Sequence, residues 1–182
     1  KPSQIGILKH FESIKNTTEL PIMAYNIPGR TGTLIELETI EKLIKDVGIH
    51  SIKDAVGNFD FSREELTRFK DDVFIYSGDD ALTKNFIENG AVGVVSVASH
   101  LVGRQIKEMI NLIFQNKKTE AEKIHQILLP FIEAIFEEPS PGPVKYLLSE
   151  SWENVGKPLL PMTDVSPGLA KKLNDQYSKI NI

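Results

Sequence analysis

Ile49-His50-Ser51-Ile52-Lys53-Asp54-Ala55, residues 49–55, is a short apolar stretch with two charged side chains near its end. Its length and its flanks read as a strand buried in a sheet. Runs of the same kind recur at Pro21 to Ile27, Val73 to Gly78 and Gly93 to Ala98, and each is followed by an amphipathic stretch. Residues 35–47 show the pattern: Ile35, Leu37, Ile40, Leu43, Ile44 and Val47 fall largely on one side at helical spacing, while Glu36, Glu38, Lys42 and Lys45 fall mostly on the other. Strands joined through single helices run parallel, because the crossover returns the chain to the same sheet edge. Four βα units result, and periodicity alone fits either an open doubly wound sheet or half of a closed (β/α)8 barrel.

Junction signals accompany the rhythm. Thr33 with Glu36, and Ser62 with Glu65, have capping-box spacing and predict helix starts. Asp79 or Asp80 is expected to cap the helix that ends near Gly90. Beyond Gly103 the pattern is helical throughout, over Arg104 to Gln115, Thr119 to Phe136, Pro143 to Ser149 and Ser166 to Ser178.

Composition narrows the function classes. The 182 residues are 41% apolar and 25% charged, enough for a folded core and against disorder. A net charge of -4 with scattered lysines and arginines supplies no basic stripe for nucleic acid. The absence of cysteine excludes disulfides, thiolate metal sites and a cysteine nucleophile, and fits a cytoplasmic location. No apolar run has the roughly 18–20 residues of a membrane span, and the start Lys1-Pro2-Ser3-Gln4 lacks a signal-peptide core. His10, His50, His100 and His125 are dispersed without metal-ligand spacing, and no glycine-rich phosphate loop follows a strand. Neither a metal nor a nucleotide cofactor is expected.

The residues that could carry chemistry lie near strand ends. A primary amine held there loses hydration and becomes a nucleophile toward a carbonyl, which is what Schiff-base catalysis asks of Lys53. The plainer role for such a lysine is a packed stem with its ammonium in solvent. Alternation along the strands puts Tyr25 on the face of Met23 and Lys53 on the face of Ser51, so the two side chains can meet between neighbouring strands. Arg30 follows Pro28 and Gly29 in the loop leaving the first strand, where a guanidinium can grip a carboxylate at two points or simply be solvated. Gly78, in Ser77-Gly78-Asp79-Asp80, lets backbone approach a small ligand closely.

Tyr25-Asn26-Ile27-Pro28-Gly29-Arg30-Thr31-Gly32 and Ser51-Ile52-Lys53-Asp54-Ala55 together resemble the pyruvate-dependent lysine-Schiff-base lyases. Arg30 narrows the resemblance to the dihydrodipicolinate synthase family, essentially from end to end. The resemblance selects the barrel: residues 1–115 as the C-terminal half of a (β/α)8 TIM barrel, and 116–182 as a helical segment packed on it as a small bundle. It implies that Lys53 forms an imine with pyruvate and that Tyr25 relays protons. It further implies that Arg30 holds the carboxylate of aspartate semialdehyde, that Gly78 presents its backbone to substrate, and that Val95, in Gly93-Val94-Val95-Ser96, touches pyruvate. No cofactor is implied.

The family's tyrosine works with a threonine from an early strand and a second tyrosine from a neighbouring subunit; neither is expected in this chain, which resembles the family from just after that second tyrosine, at Lys1-Pro2-Ser3-Gln4. An N-terminal half is expected to be missing, so the chain should form a homo-oligomer or pair with such a half. Ser140, in Pro139-Ser140-Pro141-Gly142, stands where the family commonly has asparagine. Two rival readings remain: an N-acetylneuraminate lyase or 2-keto-3-deoxy sugar acid aldolase using the same imine, and a catalytically inactive half-barrel serving as an interaction or structural unit. Arg30 argues against the first, and the absent strands motivate the second.

Overall fold

In the computed structural model residues 1–180 are described, so the expected segment 116–182 ends on two residues outside the described ones. The chain divides into two compact units, Lys1–Val95 and Ser96–Ile182.

In the first unit four short strands, β1 (Met23–Asn26), β2 (Ser51–Asp54), β3 (Phe74–Ser77) and β4 (Gly93–Val94), form one sheet. All neighbours are parallel and the order is β1-β2-β3-β4. A doubly wound sheet reverses its strand order at a switch point, and this one does not. The arrangement therefore fits part of a (β/α) barrel. Each strand is shorter than its apolar run, β4 most of all, because only the residues paired in the ladder count.

The helices of this unit are α1 (Gln4–Lys15), α2 (Pro28–Thr31), α3 (Leu37–Lys42), α4 (Phe59–Phe69) and α5 (Thr83–Glu88). The stretch predicted as one helix over 35–47 is α3 continued by a π-helical turn at Leu43–Val47, which ends on Gly48 at φ 74°. Its expected apolar face is kept: Leu37, Ile40, Leu43 and Val47 are buried.

Both capping boxes fail. The residue before α3 is Glu36, with no side-chain cap, while α4 is capped by Asn58, whose Oδ1 accepts from the Asp60 and Phe61 amides. Ser62 and Glu65 instead lie inside α4 on its buried side. Asp79 Oδ1 accepts from the Ala81 and Leu82 amides at 3.0 and 3.3 Å, but these bonds close the turn ahead of α5, whose preceding residue Leu82 gives no side-chain cap.

Among the described residues, the helices of this unit lie against one face of the sheet. Ala24, Asn26, Ile52, Asp54, Ile75 and Ser77 point into that covered side and are buried. Met23, Tyr25 and Phe74 on the other face are exposed, with Lys53 and Tyr76 partly so. This alternation is the period of two expected of a strand.

The second unit is helical: α6 (Ser99–Phe114), α7 (Lys118–Ile135), α8 (Gly142–Ser151) and α9 (Pro167–Tyr177), followed by a 3-10 turn at Ser178–Ile180. All four match predicted helices, although α6 starts at Ser99, ahead of Arg104, and is irregular at Val102. α7 packs on α6 and α9, and α8 on the same two. Met109, Leu128, Phe131, Ile135, Leu147 and Leu173 fill the space between them. Among the described residues no helix is long and apolar enough to cross a membrane.

Candidate active site

Strand register decides which side chains meet. Tyr25 pairs with Lys53, Lys53 with Tyr76, and Tyr76 with Gly93, so one row crosses the open face of the sheet near the C-terminal strand ends. Lys53 stands in the middle of that row. Its Nζ lies 4.2 Å from the centroid of the Tyr25 ring, a cation–π contact of about 0.5–1 kcal/mol at a site this open. The ring thus fixes one side of the amine.

Gly78 fixes another side. A β-carbon built there would stand 2.9 Å from Lys53 Cε, Ala55 Cβ and the Asp54 carbonyl oxygen. No side chain larger than hydrogen fits without displacement. The backbone reinforces the arrangement, since the pairing runs on past the strand ends. The Ala55 amide donates to the Asn26 carbonyl at 2.9 Å, Gly78 to Asp54 at 2.6 Å and Val95 to Ser77 at 2.9 Å. Three successive strand ends are therefore held level, and they bring Tyr25, Lys53 and Gly78 together.

Val95 lies just past β4 on this same edge and is 39% exposed. Arg30 is not in a loop. Pro28 at the first helical position and Gly32 at φ 71° close a single turn, α2, and Arg30 projects from it into solvent. No hydrogen bond or ion pair among the described residues joins Arg30 to Lys53 or Tyr25. The segment carrying it is anchored by Asn26, which is buried and clamps Ile35 on both sides. Its Nδ2 donates to the Ile35 carbonyl at 3.0 Å, and its Oδ1 accepts from the Ile35 amide at 3.0 Å. A groove of about 480 Å³ lies alongside, walled by Ile7, His10, Phe11, Tyr25, Thr31 and Thr33.

Two features escaped the sequence reading. Tyr76 flanks Lys53 across the ladder opposite Tyr25, and only knowledge of the register could have found it. Asp54 and Glu65 form a buried acidic pair beneath the sheet, both fully enclosed. Burial pushes the Asp54 carboxyl above its ordinary range, and Glu65 is pushed further up by burial and by the Asp54 charge.

Residues 1–180 match the model of the dihydrodipicolinate synthetase family. A 4-hydroxy-tetrahydrodipicolinate synthase of Listeria monocytogenes is 40% identical over 173 residues, covering 95% of this chain and 59% of its own length. The crystal structure of dihydrodipicolinate synthase DapA-2 from Bacillus anthracis superposes with a TM-score of 0.94 at 37% identity, over 100% of this chain and 62% of that one. The chloride-inhibited dihydrodipicolinate synthase of Acinetobacter baumannii complexed with pyruvate gives a TM-score of 0.94 at 27% identity, over 100% and 62%. The chain thus spans about three fifths of the length of the curated relatives it matches.

Proposed function

The chain belongs to the dihydrodipicolinate synthetase family, and from that premise we propose that it serves the condensation of pyruvate with aspartate semialdehyde in lysine and diaminopimelate biosynthesis. The observation that carries the reading is the amine of Lys53 held between the Tyr25 ring and Gly78 at the strand ends. The Lys53 amine adds to the keto carbon of pyruvate, and loss of water leaves an imine. Loss of a methyl proton from that imine gives an enamine, whose carbon attacks the aldehyde of the second substrate. The amine of that substrate then displaces Lys53 and closes the ring. Every step is proton transfer, addition or elimination without a change of redox state, so no external cofactor is required.

Tyr25 is the proton carrier in this scheme, since its ring already lies against the amine. Arg30 is the carboxylate anchor for the semialdehyde, with Gly78 and Val95 as contacts to pyruvate. On this reading residues 1–115 are barrel and 116–182 a helical extension, a small bundle, and the protein works in the cytoplasm. Arg30 disfavours a sialic acid or sugar acid aldolase, which would share Lys53 and Tyr25.

The open face of the sheet motivates a second reading. Met23, Tyr25 and Phe74 are uncovered, and β1 and β4 each have one pairing neighbour among the described residues. Unpaired strand edges call for a partner, so the chain acts as a homo-oligomer or pairs with a segment supplying further strands. By itself it would then be a structural half-barrel.

Borohydride reduction in the presence of pyruvate, followed by peptide mass spectrometry, separates the two. A reduced adduct on Lys53 supports the imine pocket. A folded chain that yields none supports the inactive half-barrel.

A further inference from the structure

Asp54 and Glu65 are two buried titratable groups that this chemistry leaves unused. Asp54 is the last residue of β2, one position past Lys53, and points to the helix-covered face, where Glu65 meets it from α4. Both are 0% exposed. As two carboxylates the pair is untenable, because Asp54 Oδ2 and both Glu65 oxygens have no donor, and an uncompensated buried charge costs several kcal/mol.

Donors reach Asp54 but not Glu65. The Val56 amide donates to Asp54 Oδ1 at 2.8 Å. Ser62, whose hydroxyl also lies 3.2 Å from the Asn58 carbonyl, favours the Asp54 anion as well. The charged side chain acting from beyond β3 is Asp79, another anion. No lysine, arginine or histidine is among the groups acting on either carboxyl. Among the described residues no cluster of three or more acidic or imidazole side chains could hold a metal here. One proton resolves the conflict: placed on Glu65, it turns a second acceptor into a donor to Asp54.

We propose that Asp54 and Glu65 share a single proton, Glu65 donating and Asp54 accepting as the anion, and that this pair is a positioning device for Lys53. Asp54 is gripped at its side chain by Val56 and Glu65, and at its carbonyl by the Gly78 amide at 2.6 Å. One peptide unit separates that clamp from Lys53, and Gly78 is the residue packed on the Lys53 stem. Burial and the neighbouring charge of Asp54 both hold the proton on Glu65. The catalytic value of holding Lys53 rests on the proposed function; the proton sharing and the holding do not.

The test uses the full 182-residue chain and its Glu65→Gln variant, which keeps an N–H donor for Asp54. Infrared spectroscopy at neutral pH should show the carbonyl stretch of a protonated carboxylic acid in the unaltered chain and lose it in the variant. Absence of that band in the unaltered chain overturns the shared proton. Trace acetylation, read peptide by peptide against exposed Lys9, then follows Lys53 reactivity with pH. The unaltered chain should show a break of about twofold or more where the infrared band disappears, on the scale that a fraction of an amine pKa unit produces. Glu65→Gln should show no such break, and identical profiles for the two proteins overturn the positioning role. Neither readout needs pyruvate, so a chain that passes both yet never traps pyruvate retires the proposed function alone.

Discussion

Lys53 and Gly78 meet at the limit of contact, with a β-carbon on residue 78 falling 2.9 Å from Lys53 Cε and equally near Ala55 Cβ and the Asp54 carbonyl. Two of those three neighbours are held by backbone pairing and cannot give way cheaply. Gly78→Ala should therefore destabilise the fold by about 1–3 kcal/mol, the usual cost of overpacking. Urea denaturation reads that loss, and an unchanged midpoint would mean that the lysine stem simply swings aside.

The acidic pair predicts a pH dependence of stability with a definite sign. Glu65 has its carboxyl raised well above the ordinary value of 4.5, first by burial and then by the Asp54 charge. Above that ordinary value the unfolded chain has released the proton while the folded chain keeps it, so the folded state binds more protons. The pair's contribution is thus full below 4.5 and is lost as pH rises through the native value. Denaturation midpoints should decline toward alkaline pH, and Glu65→Gln should flatten that decline. A midpoint that rises over the same range would contradict it.

Asn26 holds the segment that carries Arg30 through two hydrogen bonds to Ile35, each 3.0 Å. Asn26→Ala leaves a buried N–H and a buried carbonyl without partners, at about 1–3 kcal/mol for each group. Faster hydrogen exchange at the Ile35 amide is the local signature. Exchange unchanged from the parent would show that the loop stands without the clamp.

Tyr25→Phe separates ring from hydroxyl. The ring that faces Lys53 Nζ at 4.2 Å is retained, so thermal stability should barely move. If the hydroxyl carries protons, reductive trapping of pyruvate should slow by about a hundredfold or more, as loss of a general acid–base group does. Trapping at the parental rate would assign Tyr25 a packing role only.

The uncovered sheet face predicts association. Met23 and Phe74 are 40% and 50% exposed on the same side as Tyr25, and unsatisfied strand edges flank them. Sedimentation should show concentration-dependent self-association that Phe74→Lys weakens. A folded, strictly monomeric chain at every concentration would remove the argument for a partner.

Much of this was legible in the linear chain. The alternation of apolar runs with amphipathic stretches is a local property, fixed by side-chain period, and it located all four strands and most helices. Tyr25 and Lys53 could each be assigned a face of its own strand because side chains alternate along a strand whatever the sheet does. The short motifs around them carried the family. Local signals misled where context decides: Ser62 and Glu65 have the spacing of a cap, yet Asn58 starts α4 one turn earlier. That error hid Glu65 from notice as a buried acid.

What only the tertiary structure decided is which residues from different strands share a row or a buried face. Register set Tyr76 beside Lys53, the close approach of β2 and β3 made Gly78 a wall of the site, and the packing of α4 on the sheet brought Glu65 to Asp54. Strand order without reversal likewise distinguished part of a barrel from a doubly wound sheet. The physical reason is the same in each case. Periodicity reports which face a side chain occupies on its own element, whereas burial, charge coupling and steric contact depend on distances between elements, which no local pattern encodes.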